Sequence, residues 1–404
     1  ITSMSENKFI VREPLLNVAQ QIVGYELRWD GNEHGDGMAS DEDLLELATF
    51  AAEQLNKDDS GWLLNDSVLF LEATPALITS PVVQTLPAKH VVFRLTAADL
   101  GDADTQKAVI ELRQQGYGIS LCDAESVAPD SPLLSIVSHV EGKFDGGMLA
   151  HAAGLDGKPL PVKVARHIAD WQEYDACVKA GLQTFIGNLY LTPRPSVEKP
   201  GLNSAQTIIV QLMQMVRKNA DVRELENVLK RDATLSYKLF RYINSVGFGL
   251  GAEIQSLRHA VTMLGYSPLY RWLSLLLATA STNSHSAVLM QTAIVRGRFA
   301  ELAGHGILPQ QEAENLFVVG MFSLLDKLLG IPMEEVLEKI QLSELVSQAL
   351  LTREGMYGPF LALAEACEPN NGDIGALADS LFLNARQVNE THLAALAWAQ
   401  AIKI

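Results

Sequence analysis

Metal-dependent or nucleophilic chemistry needs acids, histidines or cysteines at short spacing. This 404-residue chain offers 48 Asp and Glu, nine His and three Cys. The cysteines, Cys122, Cys177 and Cys367, form no Cys-x-x-Cys pair and point to neither a structural zinc site nor a disulfide framework. The histidines are scattered: His285 precedes a helical pattern, and His151 and His167 flank a loop. None has metal-ligand spacing, so they read as solvated or packed side chains. There is no Walker A sequence, no HExxH, no GxSxG elbow and no calcium-loop pattern. Gly247-Phe-Gly-Leu-Gly251 is glycine-rich but follows a helical pattern, so a helix C-cap and turn explains it better than a phosphate cradle. The acids are uneven. Residues 1–199 carry 15 Lys/Arg against 29 Asp/Glu, and residues 200–404 carry 16 against 19. That imbalance invites a metal-site reading of the first half.

The overall charge of −17 argues against a nucleic-acid grip, which needs clustered cations, and against docking on an anionic membrane. A content of 48% hydrophobic and 20% charged residues suits folded cores, and the length suits two domains. The longest apolar stretch, around Leu273 to Ala280, falls far short of the ~20 residues that span a bilayer. With no signal-peptide pattern, and with the residues before Met4 read as an appended remnant, the expectation is a soluble cytosolic protein.

The elements that would position any site divide into two kinds. Strand patterns at Phe9–Leu16, Ile22–Trp29, Val68–Leu71, His90–Leu95, Gly116–Leu121, Val140–Phe144, Pro161–Ala165 and Thr184–Ile186 alternate with helical ones. The helical stretches are Asp41–Leu55, Ala76–Thr85, Asp104–Gln115, Pro132–Val137 and Asp170–Ala180. Such alternation predicts βα units around a parallel sheet, and about eight strands in under 200 residues predict a compact barrel. Prolines and a glycine at Pro193–Gly201 mark a boundary. Beyond it every pattern is helical, including Ala205–Asn219, Thr234–Ser245, Ile254–Leu264, Pro268–Ala280, Gln310–Leu329 and Ala385–Ile402. Pro268, Pro332 and Pro359 are placed at helix starts. Trp272 with Leu273–Leu277 reads as buried core rather than a ligand slot.

Four segments of the first half carry a resemblance. Ile22-Val-Gly-Tyr-Glu-Leu-Arg-Trp29, Gly116-Tyr-Gly-Ile-Ser-Leu-Cys-Asp-Ala124, Lys143-Phe-Asp145 and Phe185-Ile-Gly-Asn-Leu-Tyr-Leu-Thr-Pro193 follow in the order and spacing of an EAL domain. That family comprises cyclic-di-GMP phosphodiesterases. In the second half, Asp232-Ala-Thr-Leu-Ser-Tyr-Lys-Leu-Phe-Arg-Tyr-Ile-Asn-Ser245 and Ile254-Gln-Ser-Leu-Arg-His-Ala-Val-Thr-Met-Leu-Gly265 resemble an HDOD domain. The implied architecture is an EAL-type (β/α) barrel over residues 4–195 followed by an all-helical HDOD domain over residues 202–404, as in bacterial EAL–HDOD signalling proteins.

Hydrolysing a phosphodiester with two divalent ions needs hard oxygen ligands at the C-terminal ends of barrel strands. The resemblance places such ligands at Glu26, at Glu72 where the family has Asn, at Arg94 where it has Glu, and at Cys122 and Asp123 where it has an Asp pair. It also implies a retained acid at Asp145, a lysine near the attacking water at Lys143, Arg166 (with Ala169) in place of two Glu, and Ile186 in place of the family's closing Gln. A guanidinium at Arg94 repels a cation, and Cys122 is a poor ligand for Mg²⁺ or Mn²⁺. Arg94 is therefore expected to pair with Glu26 or Asp123, the rival arrangement being a side chain in solvent. Pro129 and Pro132 stiffen a loop that is glycine-rich in the family. In the helical half, the His-Asp position of metal-dependent relatives falls at Ser323-Leu324, which holds no metal pair.

The expected function is a non-enzymatic signalling scaffold without cofactor or metal. It would act through protein partners in pathways implied by the resemblance: motility, chemotaxis, biofilm or pili. Two rivals remain. One is a cyclic-di-GMP receptor that uses Arg94, Lys143 and Arg166 on phosphate without hydrolysis. The other is residual phosphodiesterase activity through Glu26, Asp123, Asp145 and Lys143.

Overall fold

Asn17 begins the folding logic of the first half. Its side-chain oxygen accepts the backbone N–H groups of Ala19 and Gln21, which closes a tight turn and reverses the chain. The strands on either side, β1 (Ile10–Asn17) and β2 (Ile22–Trp29), therefore pair antiparallel. The computed structural model describes residues 7–31, 39–57, 66–142, 161–194, 199–245, 253–283 and 286–402. Six further strands follow: β3 (Val68–Glu72), β4 (Val91–Leu95), β5 (Gly118–Leu121), β6 (His139–Gly142), β7 (Val162–Arg166) and β8 (Thr184–Ile186). The eight close into one barrel in sequence order. From β2 to β8 every neighbour is parallel, whereas β1 runs antiparallel to both β2 and β8. The wholly parallel sheet expected from βα alternation thus has one reversed strand.

Helices between strands begin where the sequence supplies caps. Ser40 accepts from Asp43 N–H, and three acids in the first turn of Asp41–Leu55 complement the positive helix end. Asp102 caps Ala103–Gln115, which ends at Gly116 in a left-handed conformation (φ 104°). The helix expected over Ala76–Thr85 is broken. Pro75–Ile78 is α-helical, and Pro81–Thr85 restarts as a 3₁₀ turn capped by Ser80, because Pro81 has no N–H to continue the first ladder.

Side chains alternate along each strand, so every second residue enters the barrel. Leu15, Phe70, Val92, Val164 and Ile186 form an apolar layer there. The chain falls into two compact units, Ile1–Arg194 and Pro195–Ile404.

The second unit is helical among its described residues. Asn203 and Gln206 form a capping box at Ser204–Arg217, and Asn384 and Gln387 form another at Ala385–Ala401. Asp232 accepts from Thr234 and Leu235 N–H to start Ala233–Ser245. Asn244 clasps Ile254, donating to its carbonyl and accepting from its N–H, both at 2.8 Å. In the HDOD-like signature Asp232 and Asn244 thus serve as capping and bracing groups. The glycine-rich run Gly247–Gly251 lies outside the described residues, as do His151 and His285. Trp272 and Leu273–Leu277 are buried in helix Tyr266–Ala278, which begins two residues before Pro268. Pro332 caps helix Met333–Lys339 from outside, and Pro359 sits in the first turn of Gly358–Ala366. The single helix expected over Gln310–Leu329 is two, Gln310–Phe322 and Leu325–Leu329. Helix Ala287–Gly304 lies at the centre, packed on Gln310–Phe322, Gly358–Ala366 and Ala385–Ala401. It meets Gln310–Phe322 at two glycines. A Cβ on Gly320 would lie 2.4 Å from the Gly297 Cα. Gly320→Ala is expected to destabilise the helical unit by about 1–3 kcal/mol, since backbone atoms cannot rotate aside; urea unfolding measures it. An unchanged midpoint would contradict this close crossing.

Candidate functional site in the barrel interior

Two of the strands that carry the apolar layer, β4 and β7, also carry an arginine two residues further on. Val92 is followed by Arg94 on β4 and Val164 by Arg166 on β7, so the same period directs both guanidiniums inward. Glu26 of β2 and Glu141 of β6 complete a four-residue cluster. Arg94 Nη1 donates to Glu26 Oε1 at 3.0 Å, and its Nε lies 3.0 and 3.1 Å from the two oxygens of Glu141. Arg166 donates from Nε to Glu141 and from Nη2 to Glu26. Ser120 of β5 adds a hydroxyl donor to Glu141. Each guanidinium thus bridges both carboxylates, in a ring with no net charge. All four are buried, with side-chain exposures of 3% (Arg94), 7% (Arg166), 1% (Glu26) and 0% (Glu141).

Burial by itself would raise the Glu141 carboxyl, but Arg166 and Arg94 outweigh it and hold it down at about 2. Burial likewise opposes the Arg94 charge, yet Glu141 and Glu26 raise its pKa well above the usual value. Burial pushes the Cys122 thiol far upward against the pull of Arg94 and Arg166, so it is neutral and protonated at pH 7, unsuited to ligate a hard cation. His139, edge-on to Phe70 on the same interior, is lowered by burial to about 4 and is neutral.

The expected site residues are distributed as follows. Arg94 meets Glu26 and Glu141 rather than Asp123, and it does not point into solvent. Asp123 instead accepts from Ala97 N–H at 2.7 Å, bracing the short helix Ala97–Leu100. Ile186 lies in the apolar layer, in register with Arg166. Glu72 ends β3 level with Arg94. Lys143 and Asp145 lie outside the described residues. Arg94 and Arg166, candidates for binding a ligand phosphate, are committed to protein carboxylates. Glu141 was not singled out from sequence. The signal available was neutrality: two inward arginines need a second carboxylate besides Glu26, and inward alternation from His139 reaches Glu141.

The helical unit holds a second buried ionic group, at the position of the missing His-Asp pair. Ser323 donates to Gly320 O and accepts from Arg296 Nη1 at 3.2 Å. Arg296 grips Glu368 through two bonds of 2.7 and 2.8 Å and reaches Glu365 at 3.3 Å. Arg353 binds the other side of Glu365. Among the described residues no group of three or more His, Cys, Asp and Glu is placed to hold a metal ion, and no helix is long and apolar enough to cross a membrane.

Comparison with known proteins adds the following. The chain is 25% identical over 412 residues to the Bacillus subtilis (strain 168) protein named "Uncharacterized protein YuxH", covering 96% of this chain and 97% of that one. It is 26% identical over 376 residues to "Cyclic di-GMP phosphodiesterase CdgJ" of Vibrio cholerae serotype O1, covering 89% and 84%. Among solved structures, the EAL enzyme Bd1971 in its cAMP-bound form is 17% identical, with a TM-score of 0.32, and the match covers 45% of this chain and 61% of that one. Residues 202–345, in the helical unit that follows the closed eight-stranded barrel, match the family model of the HDOD domain.

Proposed function

We propose that this chain is a non-enzymatic signalling protein of cyclic-di-GMP-linked regulation, with a degenerate EAL barrel and an HDOD domain that act through protein partners. One observation carries the reading. At positions where the EAL resemblance places metal ligands, Arg94 and Arg166 neutralise Glu26 and Glu141 in a buried ring. Two fixed cations there stand in for divalent ions electrostatically, and they offer no Lewis-acid site and no bound water to activate. Similarity to a protein named for cyclic-di-GMP phosphodiesterase activity and the HDOD match support the pathway. That same similarity favours the rival phosphodiesterase reading.

The deciding experiment titrates the full chain with labelled cyclic-di-GMP, with and without Mg²⁺ or Mn²⁺, and follows linear product. The expected result is no turnover and no metal-dependent binding. Turnover abolished by Glu26→Gln overturns the proposal. Tight metal-independent binding that is lost on Arg94→Ala replaces it with a receptor.

A further inference from the structure

We propose that a cavity of about 360 Å³ in the helical domain, lined by Arg217, Tyr270, Arg271, Glu314 and Asn315, binds a nucleoside monophosphate: one phosphate joined to a flat ring with N–H donors. Nothing in the barrel enters this inference, and it stands apart from the proposed function. The volume lies in the range of small-molecule sites.

Arg271 is the anchor. Its guanidinium sits 4.4 Å above the Phe317 ring and donates from Nη2 to Glu301 at 2.9 Å. Its Nε is buried and has no hydrogen-bond partner among the described residues. A buried, unmatched donor on a cation is costly, and an anion in the cavity beside Arg271 would offset that residue's undercompensated charge. Burial lowers the Arg271 pKa in spite of Glu301, which means that its present partners undercompensate the charge. Arg217 supplies a second guanidinium from the last turn of Ser204–Arg217, exposed and bonded to Gln341 O. Two guanidinium forks suit the oxygens of a phosphate.

The rest of the wall narrows the ligand further. Glu314, which accepts from Ser267, repels a bare inorganic anion and favours a ligand that also brings N–H donors. Tyr270 is kept protonated by burial and offers an aromatic surface for a flat ring.

Calorimetric titration of the full chain with inorganic phosphate and separately with AMP, CMP, GMP and UMP tests this. At least one nucleotide is expected to bind saturably and more tightly than phosphate. Arg217→Ala, an exposed change that leaves the thermal midpoint in place, is expected to weaken that binding about tenfold. Glu314→Gln is expected to narrow the preference for nucleotide over phosphate. No saturable nucleotide binding at millimolar concentration overturns the proposal. So does binding indifferent to Arg217→Ala, which would place the ligand elsewhere. Phosphate binding as tight as any nucleotide also overturns it, because the ring would then contribute nothing.

Discussion

Arg94→Ala is expected to lower the stability of the barrel unit by about 3–5 kcal/mol at neutral pH, measured by urea unfolding. The arginine bridges Glu26 and Glu141, whose side chains have almost no access to water. Its removal leaves two carboxylates sharing the single guanidinium of Arg166. The cost is that of uncompensated buried charge, and replacing all four residues with apolar side chains of similar volume should cost far less. The pH dependence gives an independent check. The folded Glu141 value of about 2 lies below its ordinary value of 4.5. Stability from this group is therefore fully present above pH 4.5 and is lost as pH falls toward 2. In Arg94→Ala, burial with one fewer cation raises the Glu141 pKa, so the variant gains from protonation where the parent begins to lose. The stability gap between the two should narrow from pH 7 to pH 4. A gap that is constant with pH would contradict the charge account.

Arg296→Ala should cost the helical unit a comparable amount, about 3–5 kcal/mol. Arg296 makes two short bonds to buried Glu368 and a longer one to Glu365, and it also donates to Ser323. Glu365 keeps Arg353 as a partner in the variant, whereas Glu368 loses both guanidinium bonds. Arg353→Ala is the internal comparison. Its pair is partly exposed, with Arg353 at 31% and Glu365 at 18%, so the expected loss is about 1 kcal/mol or less. Equal losses for the two arginines in urea unfolding would refute the distinction between buried and solvent-screened pairs.

Local pattern was enough where an element answers to its own residues. Ile22–Trp29, Asp41–Leu55 and Thr184–Ile186 have the limits that alternation, helical spacing and caps dictate. It failed where a distant or backbone effect decides. Pro81 splits a run whose apolar spacing looks continuous. Ser323 turns back to Gly320 and toward Arg296, which ends a helix that the pattern from Gln310 to Leu329 would carry through. Strand direction was also hidden, because alternation is the same either way and the Asn17 turn alone reverses β1 against its neighbours.

The site was legible in halves. Glu26, Arg94 and Arg166 stood out only against the family resemblance. Glu141 is an ordinary acid within a four-residue strand until barrel closure brings residues 26, 94, 141 and 166 to one layer. Of the two acids expected for Arg94, Glu26 is its partner, and Asp123 answers to a nearby helix start instead.

The crossing of Gly297 and Gly320 bears on how the helical unit can move. Side chains between two helices act as bearings that can change rotamer and let one helix slide along the other. Here backbone rests on backbone, with no such layer at the contact point. Helices Ala287–Gly304 and Gln310–Phe322 are coupled there as one stiff strut, and the Arg296 grip on Glu368 is mounted beside the joint. A signal that passes through this unit would be transmitted by tilting the strut as a whole, while the surrounding helices take up the displacement.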